Sequence, residues 1–281
     1  MSEVFHRSAL PPVAQSPRPP VRASDGGTGG RGDAGMVALL CLLTACSHTG
    51  GKTKTSAEVL LNERMATVLL RDGRYAEAEA AFRESLKSDP KNPDLHDGLG
   101  VALLAQGKVR ESIDALDRAV KLSPEKPAYR IHRAIARTEA SRYTEAEEDF
   151  KWADSSYAAE DRLEIAINRG RLRQRQGDFT RAESEFTMAM SLDPKSAPAI
   201  MGRGVARESK GDVAAAAEDY LEAVRLEPKN AQANLRLGLT LVTMKKYALG
   251  RRYLERALEL DPAGETGVKA RLLLESTQGT K

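Results

Sequence analysis

From Val59 onward the pattern of apolar and polar positions repeats every 34 residues. That is the period of a helix-turn-helix unit that buries its apolar face only by stacking on neighbours. Six units follow one another, 59–92, 93–126, 127–160, 163–196, 197–230 and 231–264. Near the end of five of them an acid or serine precedes proline, at Asp89-Pro90, Ser123-Pro124, Asp193-Pro194, Glu227-Pro228 and Asp261-Pro262. Proline there stops one helix and opens the next; only the third unit lacks it. The eighth place of each unit is small (Ala66, Gly100, Ala134, Gly170, Gly204, Gly238), and so is the twentieth (Ala78, Ser112, Ala146, Ala182, Ala216, Gly250). Small residues at both places let two helix backbones approach closely. Glycine recurs at the turn inside the unit, at Gly73, Gly107, Gly177 and Gly211, usually with a bulky side chain two residues on, such as Tyr75 or Phe179. The expected fold is all-α. Thr266 to Ser276, with Val268, Leu272 and Leu273, is predicted to form a last helix within the closing segment 265–281.

These small, turn and proline places resemble the signature of tetratricopeptide repeats. The resemblance implies a right-handed superhelical solenoid of six repeats with a C-terminal capping helix. In that geometry the first helices line the inner wall, and their fifth and ninth places point into it. Those places include Ile131, Ile135, Ile167, Met201, Val205, Leu235 and Leu239. An exposed apolar wall of this kind marks a protein contact, while the same side chains would also fill a narrow superhelix, and the sequence leaves both open. The opening helix offers a second surface. It carries Val59, Leu60, Leu61, Met65, Val68, Leu69 and Leu70, more apolar face than one neighbouring repeat covers.

The seventh and eleventh places separate the repeats into two kinds. They are apolar in the first, second and sixth (Met65/Leu69, Leu99/Leu103, Leu237/Leu241) and arginine in the others: Arg133 and Arg137, Arg169 and Arg173, Arg203 and Arg207. Such a ladder can bind phosphate or a carboxylate partner. The twenty-third place follows the same division, however, reading Asp149, Glu185 and Asp219 beside the arginines and Ala81, Ala115 and Tyr253 elsewhere. Because arginine and acid come and go together, ion pairs within each repeat are the expectation. Either charge alone would be costly to bury.

The amino-terminal part is of another character. Residues 1–35 are rich in Pro, Gly and Arg and lack the apolar residues that offset chain entropy, so disorder is expected there. The run from Met36 is far too short to span a bilayer and suits the core of a secretory signal, 36–45. Leu43-Thr44-Ala45-Cys46 resembles the lipobox of bacterial lipoproteins. That resemblance implies cleavage before Cys46, diacylglycerol on its thiol and an N-acyl chain on the freed amine, two or three chains holding almost permanently where one holds weakly. A signal starting at Met36 would have no basic n-region and one starting at Met1 an unusually long one, so the start codon is open. Ser47 rather than Asp follows the cysteine, which by resemblance to enteric sorting favours the outer membrane and a periplasm-facing chain. The tether 46–58 is polar from Ser47 to Ala57, with a reach of at most about 40 Å.

Bulk properties narrow the chemistry. With 30 % charged and 5 % aromatic residues the chain leans helical. Its 43 basic and 40 acidic residues nearly cancel, and beyond the segment before Cys46 they stand at 39 against 37. No polyanion-binding field follows, so no nucleic acid partner is expected. Cys41 and Cys46 share one apolar stretch and staple nothing. Gly27 to Gly32 spells a dinucleotide fingerprint without a preceding strand, and Gly51-Lys52-Thr53 ends a P-loop whose first glycine is replaced by Cys46. His6 and His48 lie outside the repeats, while His96 and His132 have no ligand partners at metal spacing, so no metal, cofactor, catalytic residue or small-molecule substrate is expected. Trp152, on a second helix, is assigned to packing between repeats.

A lipobox, a short polar tether, six repeats and a last helix together resemble the type IV pilus secretin pilotins, outer-membrane lipoproteins that help the secretin ring reach its membrane and multimerise. Between the third and fourth repeats the chain gains two residues and loses its proline, and Ala159-Glu160-Asp161-Arg162 leads into Ile167-Asn168-Arg169-Gly170. This is similar to an acid-Arg stretch running into an Asn-x-Gly helix in that family, although the family's proline before the acid is missing. The resemblance implies a secretin as protein partner. A lipoprotein adaptor regulating peptidoglycan synthases or hydrolases would use the same repeats and is the alternative.

Overall fold

The computed structural model describes residues 56–156 and 159–277, with side chains over 63–155 and 162–277. The leader 1–35, the signal core 36–45, Cys46, both glycine motifs and the side chains of Leu60 and Leu61 lie outside them. Every regular element among the described residues is a helix. The chain forms two units, divided between Lys91 and Asn92. The first contains the paired helices α1 (Ser56–Arg71) and α2 (Tyr75–Ser88).

The second unit begins with α3 (Pro93–Ala105), α4 (Val109–Leu122), α5 (Pro127–Glu139) and α6 (Tyr143–Ser156). It continues with α7 (Ala159–Arg175), α8 (Phe179–Leu192), α9 (Ala197–Ser209) and α10 (Val213–Leu226), and ends with α11 (Ala231–Thr243), α12 (Tyr247–Leu260) and α13 (Glu265–Ser276). Here α3 pairs with α4, α5 with α6, α7 with α8, α9 with α10 and α11 with α12. Each pair packs on the next, and α13 closes over α11 and α12.

One backbone device ends every first helix. The amide at the sixteenth place of the repeat donates to the carbonyl at the eleventh, from Arg74 to Leu69 (2.9 Å), Lys108 to Leu103 (3.0 Å), Arg142 to Arg137 (2.8 Å), Asp178 to Arg173 (2.9 Å), Asp212 to Arg207 (2.9 Å) and Lys246 to Leu241 (2.9 Å). This six-to-one bond requires a left-handed residue between, and the four turn glycines take φ from +76° to +87°. In the third and sixth repeats Ser141 and Lys245 are held in the same conformation, each at φ 60°. An L-residue there is strained by about 1–2 kcal/mol. Lys245→Gly is therefore expected to raise stability by about 1 kcal/mol; a lower midpoint in urea denaturation would contradict the turn geometry.

Helices start on capping side chains where the sequence supplies them. Asn92 accepts from the amides of Asp94 (3.0 Å) and Leu95 (3.3 Å), with Pro93 at the first helical position, and Asn230 accepts from Ala233 (3.0 Å). The eighth and twentieth places face each other. A Cβ on Gly238 would lie 3.0 Å from the carbonyl oxygen of Gly250, and one on Gly250 2.9 Å from that of Gly238. In the second repeat the Ser112 hydroxyl fills this contact by donating to the Gly100 carbonyl at 2.7 Å.

The third-to-fourth junction is irregular. Helix α7 opens four residues ahead of the place where α3, α5, α9 and α11 open, without a proline, and so carries Arg162 inside the helix.

Candidate functional site

The arginines of the third and fifth repeats converge on one buried acid each. Asp149, 2 % exposed, receives Arg133 through Nη2 (2.6 Å) and Nε (2.8 Å) and Arg137 through Nη1 (2.7 Å), with Arg130 at 3.4 Å. Asp219 receives Arg203 through Nη2 (2.7 Å) and Nε (3.1 Å) and Arg207 through Nη1 (3.0 Å). The same guanidinium groups also reach back to the second helix of the preceding repeat, Arg133 to Asp117 at 2.8 Å and Arg207 to Glu183 at 2.8 Å. The ladder thus ties repeats together as well as pairing within them. This cross-repeat half was missed in the sequence, although Glu147 and Glu183 share the twenty-first place of the repeats just before arginine-bearing ones.

The fourth repeat departs from the pattern. Arg173 bonds Glu147 of α6, not Glu185. Arg169 approaches Glu185 only to 3.3 Å and Asp154 to 3.7 Å. The Glu185 Oε2 atom is buried with no hydrogen bond among the described residues, and burial pushes this carboxyl above its ordinary range against the pull of Arg169 and Arg173.

The expected apolar wall is only partly a surface. Ile131 and Leu235 are 1 % and 5 % exposed: Ile131 belongs to the cluster of Ala134, Phe150 and Ile165, and Leu235 to that of Leu254, Ala257 and Ala270. Their burial has a simple cause, since side chains of α7 and α13 reach these two positions. Ile135, Ile167, Met201, Val205 and Leu239 are half-buried. In the first unit Leu69 is buried and Leu70 half-buried, and among the described side chains of α1 the exposed apolar ones are Met65 and Val68, at 47 % and 49 %. Trp152 is half-buried against the Phe150 cluster, with the Arg130 guanidinium 4.1 Å from its ring.

His132 on α5 places Nδ1 2.7 Å from an Asp97 oxygen on α3. Burial opposes its charge and Lys126 lowers it further, but Asp97 and, at longer range, Glu164 outweigh both and raise the imidazole to about 9. A folded-state pKa above the unfolded value of about 6.5 gives stabilisation that is complete below that pH and lost as pH rises through about 9. The difference in urea midpoint between the wild type and His132→Gln is accordingly expected to shrink from pH 6 to pH 10. A constant difference would refute the charged pair. No group of His, Cys, Asp or Glu able to hold a metal occurs among the described residues, and no helix there is long and apolar enough to cross a membrane.

Stacked helical hairpins with small residues at their crossings, a left-handed turn and a charged ladder define a repeat scaffold. The tetratricopeptide-repeat family model matches residues 63–127, 98–160, 167–231 and 209–265, and the chain belongs to that family. A curated relative, the probable UDP-N-acetylglucosamine–peptide N-acetylglucosaminyltransferase SPINDLY of Arabidopsis thaliana, is 32 % identical over 95 residues, which are 33 % of this chain and 10 % of that protein. The chain thus spans about a tenth of that relative, whose activity is its own. Among solved structures, PilW, described as a widely conserved type IV pilus biogenesis factor, is similar with TM-score 0.65 and 17 % identity over 78 % of this chain and 100 % of that one. PilF of Pseudomonas aeruginosa is similar with TM-score 0.59 and 16 % identity over 76 % of this chain and 97 % of that one.

Proposed function

We propose that the chain is an outer-membrane lipoprotein, anchored by acyl chains on Cys46 and facing the periplasm, that acts as a pilotin. Its repeats capture a secretin and promote ring assembly for a type IV pilus, without catalysis of their own. The observation that carries this reading is the combination of Leu43-Thr44-Ala45-Cys46 and a short polar tether with a repeat stack whose fold matches PilW and PilF over nearly their whole lengths. Fold likeness at such low identity carries no function by itself, and the anchor motif is what joins the stack to the envelope. Candidate capture surfaces are the half-buried side chains Ile135, Ile167, Met201, Val205 and Leu239 and the opening helix around Met65 and Val68.

Two measurements test it. Cys46→Ala is expected to leave the helical circular dichroism unchanged and to release the chain from membrane pellets; a variant that still pellets would refute the anchor. Deletion of the gene is expected to abolish detergent-resistant secretin oligomers. Unchanged oligomers would refute the pilotin role and direct the search to peptidoglycan enzymes.

A further inference from the structure

The fourth repeat exposes an apolar residue where three other repeats expose charge. At the twenty-sixth place Arg118, Glu222 and Arg256 stand in solvent and the third repeat has the half-buried Trp152, whereas the fourth has Met188, 53 % exposed. One turn on, Leu192 is 44 % exposed. Both side chains line a cleft of about 330 Å³ at the irregular junction, with Ile165 and Arg169 of α7, Arg162 at the early turn of that helix, and Asp154 of α6. Exposed Met and Leu lining a concave surface mark a contact, and the volume is at the lower end of the ~300–1,000 Å³ of ligand pockets, suited to side chains rather than to a domain.

The polar part of the cleft selects the occupant. Arg169 stands at the seventh place, where Arg133 and Arg203 hold their acids at 2.6 and 2.7 Å. Its own nearest carboxylate oxygens are at 3.3 and 3.7 Å, and its guanidinium makes no hydrogen bond among the described residues. Arg162 is exposed, with no acid within 4.0 Å among those residues. With an apolar floor and two arginines against the single carboxylate of Asp154, the cleft complements a segment that joins an apolar side chain to a carboxylate.

We infer that this cleft docks a short acidic segment of a partner protein, a large apolar side chain seated on Met188, Leu192 and Ile165 and a flanking Asp or Glu carboxylate received by Arg169 and Arg162. The inference rests on the scaffold reading of the chain but not on a secretin as the partner.

The probe is a fluorescein-labelled nine-residue peptide with a central Leu flanked by Glu on both sides, titrated against the detergent-solubilised full-length chain and read by anisotropy. Saturable binding is expected. It should weaken roughly tenfold or more, about 1.4 kcal/mol, in Met188→Asp and in Arg162→Glu. Both positions are exposed, so an unchanged circular dichroism melt is expected in the same variants. A probe with Gln in place of Glu should also bind about tenfold more weakly. No saturation up to millimolar chain, equal binding by either variant, or equal binding of the Gln probe would overturn the proposal. So would a dimer of the chain alone that Met188→Asp dissociates in sedimentation, which would assign the cleft to a second copy. Intact probe binding with secretin oligomers retained in the deletion strain would sink the pilotin reading and leave the cleft standing.

Discussion

Gly204→Leu is expected to destabilise the fifth repeat by about 3 kcal/mol and to lower the melting temperature by on the order of 10 °C. A Cβ at this position would lie 2.6 Å from Cε1 and 2.9 Å from Cδ1 of Tyr220, and 3.2 Å from Cβ of Asp219. Neither neighbour is free to yield. Tyr220 is fully buried, with its hydroxyl donating to Glu208 at 2.8 Å, and Asp219 is pinned by Arg203 and Arg207. The added side chain must push α9 and α10 apart, and the separation costs the packing of Ala216 and Tyr220 against Leu237 and Leu241 in the next repeat. Gly107→Leu separates the clash from the glycine itself. Nothing lies within 4 Å of its Cβ position, so only the strain of φ +76° remains and a loss of about 1–2 kcal/mol is expected. Equal melting temperatures for Gly204→Leu and the wild type would mean that the eighth place does not face the twentieth helix-to-helix as described.

How much of this was readable in advance divides by physical range. The 34-residue period, the crossing glycines and the left-handed turns are consequences of local geometry. Each imposes a residue type at a fixed spacing, and the all-α repeat fold follows from them. Ser141 and Lys245 show the limit of that reading, since the six-to-one bond overrides the preference of the residue beneath it. The arginine and acid places could be matched because they covary within one repeat.

What remained hidden depends on neighbours. Whether Ile131 and Leu235 face a groove or a core is decided by side chains from the following helices, which no single repeat encodes. Arg173 turns to Glu147 because the second helix of the preceding repeat lies within its reach, a contact 26 residues away. Met188 was passed over for a related reason: an apolar residue on a second helix looks like core until its exposure is known. The irregular junction was visible as two extra residues and a missing proline, but its product, a cleft between α6, α7 and α8, is a property of packing.

The second large effect concerns the buried charges. Asp149→Ala is expected to destabilise by about 3–5 kcal/mol, because it leaves Arg133 and Arg137 inside the repeat without the acid that both were arranged around. Arg133 keeps Asp117, which is 45 % exposed and stays solvated, whereas Arg137 is left with the Glu145 carbonyl oxygen at 3.3 Å and the carboxylates of Asp117 and Glu145 at 3.6 Å. The other repeats state the remedy. At the same three places the second repeat has Leu99, Leu103 and Ala115, packed at 8 %, 1 % and 6 % exposure. Adding Arg133→Leu and Arg137→Leu to Asp149→Ala is therefore expected to recover most of the loss, since an apolar set of matching shape is often as stable as the ion pairs it replaces. Stability of the single and triple variants by urea denaturation decides the matter. A mild Asp149→Ala would show that the pair is worth no more than a surface bridge. A triple variant as unstable as the single one would mean that the arginines hold repeat to repeat through Asp117, and that the acid at the twenty-third place is not what they were selected to meet.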